Sequence, residues 1–309
     1  MKCKVQLFKL TVIIQEVSML TKENPWSSNF ITANSIKIHY VTQGSGPLML
    51  MLHGFPEFWY SWRHQIPEFA QDYKAVALDL RGYNESDKPE DKSAYVMSEF
   101  IKDIEGVIKE LGYEKCVLVG HDWGGVIAWS FAYAHPEMVE KLIVMNIPHP
   151  AKFKEGLGTP EQLLRSWYMF FFQLPFLPEL MLEFDDYQAI GSIFQSMVNK
   201  SAVTDADIEA YKDAVAKRGA LTSMINYYRN IFSGFFNQQE WGILRIPTLM
   251  LWGEEDTALG KELTYGTEEY VENFQIRYIP NCGHSVQQEQ PQLVNQYMRE
   301  FLSNDNDLN

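Results

Sequence analysis

Apolar residues in this chain gather into short, nearly unbroken runs at residues 36–41, 48–52, 75–80, 116–119, 142–145, 248–251 and 276–279. Runs of this length without strict alternation predict strands covered on both faces, the habit of a parallel sheet. Between them, at 61–71, 97–111, 124–134 and 291–302, apolar positions recur every three or four residues, the period of a helix that buries one face. Short β and α units in alternation predict an α/β fold, a mostly parallel central sheet flanked by helices. From Pro148 to Gly242 the alternation stops. That interval is rich in aromatics (Trp167, Tyr168, Phe170, Phe171, Phe172, Phe176) and turns helical over 205–216 and 221–231. Strand-bearing segments on both sides are needed for one sheet, so residues 148–242 read as an inserted helical lid on a core of residues 25–147 and 243–309.

Composition narrows the class. With 309 residues, 46% hydrophobic and 14% aromatic, the chain can bury a large core. Twenty-six basic against 40 acidic residues give a net charge of −14, a field that repels phosphate backbones and argues against a nucleic-acid partner. Cys3, Cys116 and Cys282 form neither an even disulfide framework nor a metal spacing, so nothing requires an oxidising compartment. In residues 1–24, Lys9, Gln15 and Glu16 interrupt the apolar positions well short of the roughly 20 residues a membrane helix needs. This arm reads as a frayed end or a weak membrane-surface segment. The corresponding locations are the cytoplasm or the surface of the endoplasmic-reticulum membrane, not the secretory route.

The most informative stretch is Gly120-His121-Asp122-Trp123-Gly124-Gly125, between an apolar strand and the start of a helix. It resembles the nucleophile elbow of α/β-hydrolases, usually Gly-x-Ser-x-Gly, with aspartate at the apex. A serine there needs a base and a carbonyl to attack. A carboxylate is ionised at neutral pH and can displace a leaving group from an sp³ carbon, forming an ester with the enzyme. His53-Gly54-Phe55-Pro56 follows a predicted strand where such folds place an oxyanion loop, assigning the hole to the backbone N–H groups of Phe55 and Trp123. Among seven histidines only His284, in Asn281-Cys282-Gly283-His284, combines a strand-end loop with the order nucleophile, acid, histidine. Its orienting carboxylate is expected after the preceding strand, in Glu254-Glu255-Asp256. Asp256 is the choice, the two glutamates reading as a solvated turn. Asn146-Ile147-Pro148, after the strand before that, offers no carboxylate.

Taken together these motifs are similar to the epoxide hydrolases of the α/β-hydrolase superfamily, most of all the animal epoxide hydrolase 3 and 4 group. The likeness runs from about residue 36 to 302 and includes His-Gly-Phe-Pro-Glu-Phe-Trp-Tyr-Ser-Trp from His53, Asp79-Leu80-Arg81-Gly82-Tyr83, the Asp122 elbow, Phe172-Gln173-Leu174-Pro175, and Asn226-Tyr227-Tyr228-Arg229-Asn230. The resemblance implies that Asp122 is the nucleophile, that Asp256 and His284 form the charge-relay pair, and that Tyr228 polarises the oxirane. It implies no cofactor and no metal. Its substrates would be water and an epoxide, a lipophilic one if the phenylalanines of the lid line the pocket rather than the lid–core contact. The group commonly has a second lid tyrosine. Alignment on Gln173 places Phe171 there, with Tyr168 one helical turn earlier as the candidate replacement. Asn84 stands where the group has glycine, and asparagine tolerates the left-handed backbone. Two rivals use the same frame: a haloalkane or haloacid dehalogenase with the same nucleophile, and a non-catalytic lipid-binding relative. Phe55 offers no halide donor, and the presence of Asp122, Tyr228, Asp256 and His284 together argues against loss of catalysis.

Overall fold

The computed structural model describes residues 26–231 and 241–303. The amino-terminal arm therefore lies outside the described residues. Among the described residues, eight strands form one sheet: β1 (Ser27–Ala33), β2 (Ile36–Gln43), β3 (Leu48–Leu52), β4 (Lys74–Leu78), β5 (Cys116–His121), β6 (Val139–Met145), β7 (Thr248–Gly253) and β8 (Phe274–Ile279), in the order β1-β2-β4-β3-β5-β6-β7-β8. From β4 to β8 every pairing is parallel, whereas β1–β2 and β2–β4 are antiparallel.

Side chains alternate between the two faces, and each face has its own core. Leu50, Leu118, Val144 and Met250 pack with α2 (Met97–Glu110) and α3 (Trp123–Ala134). Met51, Val119, Ile143 and Leu251 pack on the opposite side against α1 (Gln65–Phe69) and the last helix. Burial on both faces is why these strands carry almost no polar residues. The helix expected over 61–71 is shorter: a 3₁₀ turn at Trp59–Trp62 precedes α1, whose first turn accommodates Pro67 because a proline there removes no helical hydrogen bond. The β1 edge strand was not among the predicted runs. Its alternating exposure leaves it without a continuous apolar stretch.

Between β6 and β7 the chain forms α4 (Pro150–Gly156), α5 (Pro160–Arg165), α6 (Trp167–Phe171), α7 (Leu177–Gln195), α8 (Asp205–Ala216) and α9 (Ala220–Asn230). The α8 start is a capping box: the Thr204 hydroxyl accepts from the Asp207 amide while the Asp207 carboxylate accepts from the Thr204 amide. Helix α7 is broken at Phe184–Tyr187, where Asp185, Asp186 and Tyr187 have φ of 52°, 54° and 58°. After β8 come α10 (Val286–Glu289) and α11 (Pro291–Ser303). No helix among the described residues is long and apolar enough to cross a membrane.

Candidate active site

Asp122 sits where β5 ends and α3 begins, with φ 49° and ψ −121°. Such a backbone is strained for any residue with a Cβ and holds the side chain clear of both strand and helix. The turn is tight enough that neighbouring positions must be glycine. A Cβ on Gly124 would lie 2.1 Å from the Leu52 carbonyl oxygen, and one on Gly54 would lie 2.5 Å from the Cβ of Asp122. The Phe55 amide donates to Asp122 Oδ1 at 2.8 Å. The Trp123 amide, first of α3, is among the helix N–H groups that have no partner one turn back.

His284 reaches the same carboxylate from the loop after β8. Its Nε2 lies 3.5 Å from Asp122 Oδ2, and its Nδ1 donates to Asp256 Oδ2 at 2.7 Å. Asp256 is buried and fully engaged. Its Oδ1 accepts from the amides of Ala258 and Leu259 at 2.8 and 3.0 Å, and its Oδ2 also accepts from Asn146 Nδ2 at 2.7 Å. Burial works against the charge on His284, but the carboxylates of Asp256 and Asp122 outweigh it and raise the imidazole well above its ordinary range. Burial likewise opposes ionisation of Asp256, and the His284 charge and hydrogen bond with the backbone amides hold it below the usual carboxylate value.

Tyr228, on α9, faces this carboxylate across an aromatic box, with ring centroids 5.3 Å from Phe55, 5.2 Å from Trp123 and 4.9 Å from Phe172. Tyr168, on α6, stands 5.8 Å from it, edge to face. Burial, then the Asp122 charge, pushes both phenols upward, so both remain protonated donors at neutral pH. Phe171 lines the same cavity as Tyr168, so the phenol one turn earlier does reach the space the alignment left without one. The neighbouring Tyr227 does not: its hydroxyl is buried and donates to the Arg81 carbonyl at 2.6 Å.

These groups open onto one cavity of about 400 Å³, lined by Phe55, Trp167, Phe172, Met181, Leu182 and Ile193 besides Asp122, His284 and the two tyrosines. An apolar chamber with a few converging polar atoms is the usual form of a small-molecule site. No cluster among the described residues could hold a metal ion.

Three supports escaped the sequence reading. Asn146, noted there only for lacking a carboxylate, clamps Asp256 and accepts from the Gly253 amide at 2.9 Å. Glu57 is buried beneath the site. It accepts from the Gly54 amide at 3.1 Å, from Gln288 Nε2 at 2.8 Å and from His121 Nδ1 at 3.0 Å. The other nitrogen of His121 lies 2.9 Å from the backbone oxygen of His284. The His121 and Gly54 interactions overcome the burial penalty and lower Glu57 to about 2. Gln173 donates to the Tyr228 carbonyl at 2.8 Å and so ties the α6 end to α9. At Asn84 the left-handed backbone is present, with φ 37°, and its Nδ2 donates to Asp79 at 2.8 Å.

Residues 47–291 match the model of the alpha/beta hydrolase fold family. Epoxide hydrolase 4 of Mus musculus is 46% identical over 281 residues, covering 88% of this chain and 78% of that protein. Epoxide hydrolase 3 of Xenopus tropicalis is 44% identical, with 88% and 76% covered. Among solved structures, an epoxide hydrolase of Bacillus megaterium in complex with an inhibitor is 41% identical and superposes with a TM-score of 0.83, covering 89% of this chain and 99% of that one.

Proposed function

This chain belongs to the α/β-hydrolase family and, within it, to the epoxide hydrolases; on that premise we propose that it opens a lipophilic epoxide to a vicinal diol through a covalent ester on Asp122. The observation that carries the reading is the setting of that carboxylate. One oxygen is held by the Phe55 amide, the other faces His284, and two protonated phenols stand opposite in an apolar chamber.

In the first half, Asp122 Oδ2 attacks a ring carbon, the C–O bond breaks, and Tyr228, assisted by Tyr168, delivers a proton to the departing oxygen. A hydroxyalkyl ester remains. Esterification removes the Asp122 charge, one of the two carboxylates that raise His284, so the imidazole becomes a base when one is needed. In the second half His284, oriented by Asp256, takes a proton from water as the water oxygen adds to the ester carbon. Oδ1 carries the resulting negative charge in the hole formed by the Phe55 and Trp123 amides. Collapse breaks the ester C–O bond, and the departing diol oxygen takes the imidazolium proton from His284. The regenerated Asp122 carboxyl gives its proton to the Tyr228 phenolate, so all three groups return to their starting states. Residues 148–242 act as the lid that closes this chamber against bulk water. Its lining, aromatic and aliphatic apart from the reacting groups, favours a long apolar epoxide.

The test is a single turnover with enzyme in excess in ¹⁸O-labelled water. The first diol should be unlabelled, because its new oxygen comes from Asp122, and label should appear in the Asp122 side chain. A fully labelled diol would mean that water attacks the ring directly, which would end the ester mechanism.

A further inference from the structure

Among the described residues, the large exposed apolar side chains are concentrated in one place. Leu163, Leu164, Trp167, Phe170 and Leu174 lie in or just after α5 and α6, and Phe176, Leu177, Leu180, Met181 and Phe184 lie at the start of α7. Leu164, Phe176 and Phe184 are 74%, 78% and 76% exposed. Monomeric proteins rarely leave so much contiguous apolar surface open to water unless something covers it.

The two groups meet at the mouth of the cavity, since Trp167 and Met181 are exposed and also line the chamber. Leu177, Leu180, Met181 and Phe184 fall on one side of the first turns of α7, with Phe176 just before them, while Glu179 on the other side is clamped by Arg229 at 2.7 Å. Left-handed backbone bounds this face at both ends. Phe176 has φ 63°, and the break after Phe184 carries three successive left-handed residues. Among the described residues, Phe176 and Phe184 stand open to water.

We propose that this face is a docking surface for a neutral, zwitterionic lipid surface, seated so that the chamber opens into the apolar layer. Charge selects that partner. Residues 161–186 carry Glu161, Glu179, Glu183, Asp185 and Asp186 against the one basic Arg165, and the whole chain carries −14. Anionic lipid is repelled, so attachment rests on burying apolar side chains, with Trp167 suited to the headgroup boundary.

The full-length chain is floated with phosphatidylcholine vesicles beside a variant carrying Leu164→Glu, Leu180→Glu and Phe184→Glu, none of which lines the chamber. Binding is read without turnover, so its failure and failure of the ester chemistry are separate results. Native protein is expected to float with the vesicles at low and high salt alike, and the variant to lose binding at least ~10-fold at unchanged thermal midpoint. Equal binding by the variant would assign attachment elsewhere, the first 25 residues included, and overturn the proposal. Binding only to phosphatidylserine vesicles, or none, would do the same. So would a lipid-free dimer in sedimentation that the variant dissolves, because the face would then belong to a second copy of the chain.

Discussion

At the residue scale, Asp122 combines strain with a shared charge. A φ of 49° with ψ of −121° costs a Cβ-bearing residue about 1–3 kcal/mol, and glycine adopts it freely. Asp122→Gly should therefore abolish turnover while leaving the thermal midpoint equal to or above that of the native chain. A fall of the midpoint by several degrees would show that the elbow is unstrained. The same carboxylate raises His284, so Asp122→Asn should move the imidazole titration, followed by its ring-proton NMR signals, to lower pH. An unchanged titration would leave Asp256 as the whole cause. Tyr228→Phe should slow ester formation about 10²-fold or more, with little change in ester hydrolysis, by pre-steady-state kinetics. The Tyr168 phenol remains to carry part of the proton transfer.

At the scale of elements, the site depends on how closely α3 approaches β3. Because a Cβ on Gly124 would meet backbone at 2.1 Å, Gly124→Ala should destabilise the fold by about 3 kcal/mol or more and prevent soluble expression or lower the midpoint sharply. A variant of native stability would mean that the helix can slide. Most elements were legible because their apolar runs matched strand or helix periods: the reading of 205–216 as a helix agrees with α8, and that of 97–111 with α2 to within one residue. The sequence reading missed β1, whose pairing with β2 supplies what its own composition lacks, and the break in α7, which no proline or glycine marks. Placement of Tyr168 beside Tyr228 was open to the sequence only as one helical turn from Phe171. The crossing of α6 and α9 decides that the phenol enters the chamber.

Over the whole molecule, buried charge sets the dependence on pH. Glu57 is held at about 2 in the fold against an ordinary value near 4.5, so its contribution is complete above that ordinary value and is lost as pH falls toward 2. Asp256 is lowered too and has the same sign. His284 is raised, so its contribution is complete below about 6.5 and is lost as pH climbs through its higher folded value. Stability measured by denaturant melts should therefore decline on the acid side from about pH 4.5 downward. Glu57→Gln should cost about 3 kcal/mol or more at neutral pH and flatten that decline, since its amide NH₂ would face the donors of Gly54, His121 and Gln287. If the melts of this variant and the native chain run parallel from pH 7 to 3, Glu57 is not the titrating group.

The sequence by itself determined the alternation of buried strands and amphipathic helices, and the aspartate at a glycine-flanked turn, because both rest on local period and on steric limits within a few residues. It also placed His284 and Asp256 by chain order. The family motif had already named Tyr228; only the tertiary structure decided that Tyr168 and Phe171 share its chamber, that Asn146 clamps Asp256, and that Glu57 and His121 lie beneath the site. Those choices depend on contacts between residues as far apart as Glu57 and Gln288, where helix crossing and burial rather than local pattern set the energy.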